Sequence, residues 1–311
     1  MNGLIMRREE TAESPAVCAD LCRRWVSYVD AKPRTIETYS KAIKQFFLYL
    51  SNNGIRQPQR EDVVAYRDFL KQGHKPTTVQ SYLAAVKLFF QWTEQERIYP
   101  NIADRVKGAK LDNNYKKDYL TPKQITRVLN TVDRSTLKGL RDYAILALMV
   151  TSGLRTVEVV RADIEDLRTV ADFTALYIQG KGHEEKTEYV KLAEPVEESV
   201  IDYLKARGTT SGKAPLFSSV AHRNTGGRLT TKSVSRLVKE ALIAAGLNSD
   251  RLTAHSLRHT AATLNLLNGG TVEETKQLLR HTNINTTLIY AHALERANNN
   301  SEERVARAIF G

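Results

Sequence analysis

Cysteine is scarce: Cys18 and Cys22 are the only two in 311 residues. Their spacing puts both on one helical face with no histidine nearby. That reads as packing, and it excludes a disulfide framework and a cysteine metal site. Long apolar runs are lacking as well. The longest, Tyr143–Val150, is far too short to span a bilayer. The opening stretch Met-Asn-Gly-Leu-Ile-Met-Arg-Arg-Glu-Glu has no apolar core of the signal-peptide kind. The expected location is therefore a reducing cytoplasm, with no membrane partner. There is no P-loop, no carboxylate cluster of metal-site type, no tandem repeat and no low-complexity tract. Negative charge is also in short supply. Lys and Arg number 46 against 35 Asp and Glu, a net +11. So basic a chain suits a polyanion, with nucleic acid the leading candidate. What is present, 41% hydrophobic and 26% charged residues, describes a folded soluble chain long enough for two domains.

The fold class expected is mainly α with a small antiparallel β-sheet. Helical periodicity starts near Pro15 and runs to Asp30. Thr35–Leu50 repeats apolar residues at Ile36, Tyr39, Ile43, Phe46, Phe47 and Leu50, close to the 3.6-residue period. Further helices are expected at about 60–71 and 77–96, completing a four-helix N-terminal domain over 1–107. Lys41, Lys44, Lys75 and Lys87 lie off its apolar stripes and can contact phosphates. Residues 108–118 are polar and basic without periodicity, and read as a linker. A mixed α/β domain over 119–311 opens with Thr121-Pro122 and Gln124, a capping box with proline at the first helical position. Helices are expected at about 122–131 and 138–151, the second apolar nearly all round and so buried. Short β-rich runs follow near 164–167, 175–178 and 188–192, with the turn Gly180-Lys181-Gly182 between the last two. Helices at about 196–206 and 231–245 come next. The second carries Lys232, Arg236 and Lys239 opposite its apolar face, as either a helix lying against DNA or an ordinary surface helix would.

The chemistry-bearing residues concentrate in 253–290. His255 and Arg258 stand three apart, on one side of a helix. Gly269-Gly270 stops that helix, and Thr271 with Glu274 caps the next, which His281 closes. Asn283 or Asn285 caps a third, carrying Tyr290. Earlier, Arg155 opens a short helix after Gly153, with Glu158 placed to hold its guanidinium. A phenol, arginines and imidazoles together suit phosphoryl chemistry.

These landmarks resemble the tyrosine recombinases, or lambda-integrase family. In order they are Ser-Gly-Leu-Arg (Arg155), Gly-Lys-Gly (Lys181), His-Ser-Leu-Arg-His (His255, Arg258), Leu-Leu-Arg-His (His281) and Asn-Thr-Thr-Leu-Ile-Tyr (Tyr290). The helices with Thr35–Tyr39 and with Thr78–Tyr82 and Phe89-Phe90-Gln-Trp92 resemble that family's core-binding domain. The likeness spans about residues 16–292. One departure is Arg280, where the family usually has glycine; the expectation is an added charge that leaves the catalytic groups in place. The resemblance implies that Tyr290 attacks a DNA phosphodiester and forms a 3′-phosphotyrosyl bond. Arg155 and Arg258 would clamp the non-bridging oxygens, Lys181 would protonate the leaving 5′-oxygen, and His255 would assist proton transfer. His281 would add a hydrogen bond and Glu158 would support the site. No metal, ATP or other cofactor is implied. The implied partners are double-stranded DNA with inverted-repeat core sites and three further copies of the chain, which is a monomer or dimer when free. The terminal piece with Val305, Ile309 and Phe310 docks either on a neighbouring protomer or on its own domain. With few residues before position 16, the expectation is a compact Xer-like or mobile-element enzyme. The alternatives are a type IB-like topoisomerase and a non-catalytic DNA-binding protein of the same fold.

Overall fold

The computed structural model describes residues 15–110, 118–180, 185–208, 211–297 and 299–311. The chain forms two compact units, Met1–Asn113 and Asn114–Gly311. The hairpin-tip residue Lys181 and most of the expected linker lie outside the described residues.

The first unit contains α1 (Pro15–Tyr28), α2 (Pro33–Asn52), α3 (Arg60–Gly73) and α4 (Pro76–Gln95). Prolines open α2 and α4 because each preceding lysine, Lys32 and Lys75, is extended, as the proline ring demands of the residue before it. The helices are held by aromatic side chains. Phe46 is fully buried. Its ring meets those of Tyr66 at 5.0 Å and Phe90 at 5.8 Å, both edge-on. Trp25 meets Phe89 edge-on at 5.8 Å, which fastens α1 to α4. Cys22 is half-buried beside this core.

In the second unit α5 (Pro122–Asn130) starts with the expected box: the Thr121 N–H donates to Gln124 Oε1 at 2.9 Å, and the Gln124 N–H to Thr121 Oγ1 at 3.3 Å. Next comes α6 (Leu137–Ser152), buried on most of its surface, which ends at Gly153 with φ +59°. After α7 (Thr156–Arg161) lie the strands β1 (Leu167–Val170), β2 (Phe173–Ile178) and β3 (Glu188–Lys191), antiparallel in sequence order. The first strand starts later than the β-rich run 164–167 indicated, because Ile164–Asp166 is a 3-10 turn. Asp166 draws that turn closed by accepting the Asp163 N–H at 2.7 Å, and Lys186 bonds both carboxylates, at 2.7 and 2.5 Å.

The remaining helices are α8 (Glu194–Arg207), α9 (Thr231–Ala244), α10 (Ala254–Leu267), α11 (Val272–Leu279), α12 (Asn285–Ala297) and α13 (Ser301–Phe310). α6 packs on α8 and α10, and α10 also packs on α9, α11 and α12. α10 thus joins the main core to the small cluster of Ala262, Leu279 and Tyr290. Every residue of α13 is exposed, Phe310 at 84%. Packing of this helix on its own domain, one of the two expectations, is therefore not seen. Among the described residues no helix is long and apolar enough to cross a membrane.

Both tryptophans, Trp25 and Trp92, lie in the first unit, so their fluorescence reports its unfolding. Phe46→Ala should destabilise that unit by about 3–5 kcal/mol, seen as a lower urea midpoint. An unchanged midpoint would mean that Phe46 is not its keystone.

Candidate functional site

The site is built where two helix carbonyl ends meet. α6 stops at Gly153 because only a left-handed residue lets the chain turn so sharply toward α7. A Cβ there would also stand 2.8 Å from Leu279 Cδ2, so α11 approaches as closely as it can. The last carbonyls of α6 and α11 have no partner within their own helices and carry partial negative charge. Arg258, on α10, supplies donors to both. It is 1% exposed. Its Nη1 donates to the Gly153 carbonyl at 2.5 Å and its Nη2 to the Leu279 carbonyl.

Arg280 does the same from the other side. It is the C-cap of α11, with φ +53° and ψ +49°, a conformation that costs a non-glycine residue about 1–2 kcal/mol. Its Nη1 donates to the Leu278 carbonyl at 2.6 Å and the Ser152 carbonyl at 3.2 Å. Its Nη2 reaches the Gly153 carbonyl at 3.3 Å and Glu158 Oε2 at 3.0 Å. The residue expected to be an added charge is in fact a buried structural donor, with its side chain 5% exposed.

Glu158, fully buried on α7, sits between two arginines. Its Oε1 accepts from Arg155 Nη1 at 2.7 Å, and its Oε2 accepts the Arg155 backbone N–H at 2.8 Å as well as Arg280. Burial alone would push this carboxyl up. Arg280 and the Arg155 bonds outweigh it and hold the group below its usual value, so it stays ionised. Arg258 is pushed down to about 9, first by burial and then by Arg155 and Arg280, and remains protonated at neutral pH.

Arg155 is half-buried and lines a cleft of about 650 Å³ together with Thr156, Ser235, Lys239, Asp250, Thr253, His255 and Arg258. His255 is exposed, whereas Arg258, one turn along α10, is buried. His281 is half-buried, with Nδ1 2.9 Å from Thr287 Oγ1. Its imidazole is pushed down to about 4, by burial first and then by Arg258, Arg155, Arg280 and His255, so at neutral pH it is uncharged. Tyr290 is 3% exposed, and its ring packs on His259 at 4.8 Å between centroids. It lies close enough to Arg258 for the two to interact electrostatically.

The structure therefore brings together Arg155, Glu158, His255, Arg258, His281 and Tyr290. Lys239 joins them at the cleft, half-buried, its Nζ donating to the Ser249 carbonyl at 2.7 Å. Lys232 and Arg236 are exposed on α9, Arg236 facing Glu240 at 3.7 Å. On the first unit Lys41, Lys44 and Lys75 are exposed and Lys87 is half-buried. Sequence reasoning missed Arg280, His259 and Thr287 as parts of the site. Only Arg280 carried a signal, a charged side chain where a helix stop calls for glycine. Among the described residues no group of three or more His, Cys, Asp or Glu side chains is arranged to hold a metal ion.

Because the His281 imidazole titrates near 4 when folded and near 6.5 when not, the unfolded chain binds more protons between those values. Its share of stability should rise with pH across that window and stay level above it. The melting temperature of His281→Asn, measured against pH, should lack this part of the slope. Parallel wild-type and variant curves would contradict it.

Comparison with known proteins gives one answer for both units. Residues 118–296 match the model of the phage integrase family, and residues 22–99 match that of the phage integrase N-terminal SAM-like domain. Tyrosine recombinase XerC of Caldanaerobacter subterraneus is 37% identical over 178 residues, 56% of this chain and 47% of the relative. Tyrosine recombinase XerD of Staphylococcus haemolyticus is 31% identical over 179 residues, 56% of this chain and 58% of the relative. The chain thus spans about half of the curated relatives it matches. In fold it resembles the XerH site-specific recombinase bound to palindromic difH substrate, with TM-score 0.73, 22% identity and coverage of 96% and 87% of the two chains. It also resembles the lambda integrase tetramer bound to a Holliday junction, with TM-score 0.69, 17% identity and coverage of 93% and 81%. With the family model covering the very residues that converge on the cleft, and its companion model covering the helical unit before them, the chain belongs to the phage integrase family.

Proposed function

We propose that this protein is a site-specific DNA recombinase that cuts and rejoins duplex DNA through a 3′-phosphotyrosyl intermediate. The observation that carries this reading is the convergence of Arg155, Arg258 and His281, from three separate stretches, beside the helix that bears Tyr290. The Tyr290 oxygen attacks the phosphorus, and the bond from phosphorus to the 5′-oxygen breaks. Lys181 gives the leaving oxygen its proton, while His255 assists removal of the phenol proton. A phenol with a pKa near 10 is a weak nucleophile until it is positioned and deprotonated. The transition state gathers negative charge on the non-bridging oxygens, where guanidinium forks bind best. Arg155 serves from the cleft wall, and Arg258 serves from beneath it. His281, uncharged, supplies a hydrogen bond. Glu158 holds Arg155 in place. The phosphotyrosyl bond conserves the energy of the bond broken, so rejoining needs no ATP.

Tyr290 is buried in this state, so attack requires α12 to move when DNA binds. Lys41, Lys44, Lys75, Lys87, Lys232, Arg236 and Lys239 supply backbone contacts, with residues 1–107 and 119–311 acting as two DNA-contacting domains joined by 108–118. Four copies assemble on two sites, and the exposed apolar face of α13 docks on a neighbouring copy. The protein acts in the cytoplasm, where its DNA is.

A pool of randomised duplexes tests the reading. After incubation, covalent protein–DNA adducts are recovered under denaturing conditions and sequenced. Recovery of a common sequence with the protein on a 3′ end is expected; no adduct would refute the reading. Strand exchange between two copies of the recovered site separates a recombinase from a topoisomerase, which would only relax supercoils. Tyr290→Phe should bind the same duplex and form no adduct, and Arg155→Ala should slow adduct formation by about 10²–10³. Duplex binding should weaken steeply as salt rises from 50 to 200 mM, as counterion release requires.

A further inference from the structure

Nothing in the reaction as proposed uses Arg280, yet it is among the most constrained side chains of the site. Its backbone is held in the left-handed region. Its guanidinium is buried, makes bonds to Ser152, Gly153, Leu278 and Glu158, and leaves Nε without a hydrogen-bond partner among the described residues. A surface charge folded back by chance would not be kept at such a cost of desolvation. Something must be gained by having an arginine there, and the contacts say what it is.

We propose that Arg280 is a positioning residue: its planar fork ties Glu158 and the turn ahead of His281 to the carbonyl end of α6, and so aims the Arg155 guanidinium into the cleft. The inference rests on the phosphodiester reading for what occupies the cleft. Among the described residues Glu158 is the carboxylate that bonds the Arg155 guanidinium. With a single cation beside it, a buried carboxylate would draw that guanidinium inward and neutralise it. Arg280 shares Oε2 with the Arg155 backbone N–H, and the Arg155 guanidinium is bound end-on through one Nη at Oε1. Glycine at 280 would suit the backbone but leave the Ser152 and Leu278 carbonyls without this donor and Glu158 with one cation fewer. Lysine, a point charge, cannot bridge two helix ends and a carboxylate at once. His281 feels the same arrangement. The charges acting on it are Arg258 and His255 from α10, Arg155 ahead of α7, and Arg280 beside it.

The test uses the full chain, a duplex recovered from the randomised pool, and inorganic phosphate as a second probe. Arg280→Gly should slow adduct formation by about 10–100-fold, the usual effect of losing a group that orients a reacting one. Duplex affinity should hold within about threefold, since the backbone contacts made outside the cleft are untouched. Arg280→Lys should recover only part of the rate. The double variant Glu158→Gln with Arg280→Gly should lose no more than Glu158→Gln alone, because the arginine acts through the carboxylate. A purely structural role would instead give additive losses. Equal rates for wild type and Arg280→Gly, or additive losses, overturn the inference while leaving the recombinase reading intact. If wild type forms no adduct, that reading fails and calorimetry with phosphate decides this one. Binding about tenfold weaker in Arg280→Gly supports it, and equal binding overturns it. Should Arg280→Gly not fold, the same cycle run with Arg280→Lys decides.

Discussion

The carbonyl ends of α6 and α11 meet, and two guanidinium groups lie between them. Arg258 and Arg280 each donate to both helices. Hydrogen bonds to a charged partner contribute about 1.5–3 kcal/mol each, against a desolvation cost of several kcal/mol for the cation. The balance is favourable only because the helix ends offer negative potential as well as acceptors. One arrangement therefore closes the fold and fixes a cation beneath the cleft. A residue so held has no rotameric freedom left to lose when a ligand arrives.

The electrostatics of the cluster point outward. Three guanidinium groups stand around one ionised carboxylate, and burial first, then their field, drives the His281 imidazole neutral. The excess positive charge is partly buried, so solvent screens it poorly. A phosphodiester monoanion in the cleft would relieve that repulsion, as a second carboxylate would, but without occupying the cleft permanently.

Tyr290 belongs to a different layer of stability. It packs with Ala262 and Leu279 in a small cluster separate from the main core of the second unit. α12 touches α10 and α11, both of which are anchored elsewhere. Few buried apolar side chains tie α12 to the rest of the unit, so local opening there would cost little. The arginines are held by hydrogen bonds and the tyrosine helix by a small apolar cluster, a division that agrees with a reaction proposed to begin only on DNA.

Much of this was legible in the chain. Helices over 33–52 and 137–152 follow from apolar spacing, and the boxes at Thr121 and Thr271 from side chains that satisfy the first amides of a helix. These are local properties, set by residues a turn apart. The order of Arg155, His255, Arg258, His281 and Tyr290 was legible as a family pattern. The start of β1 was not, because Lys186, twenty residues on, helps close the turn before it. Nor was the burial of Tyr290, which depends on how α12 settles against His259. The role of Arg280 was hidden for the same reason. Sequence determined that a charged residue follows α11; only the meeting of two helix ends 120 residues and more apart decided that its charge would turn inward, toward Glu158, where a carboxylate and the helix-end carbonyls together supply negative potential.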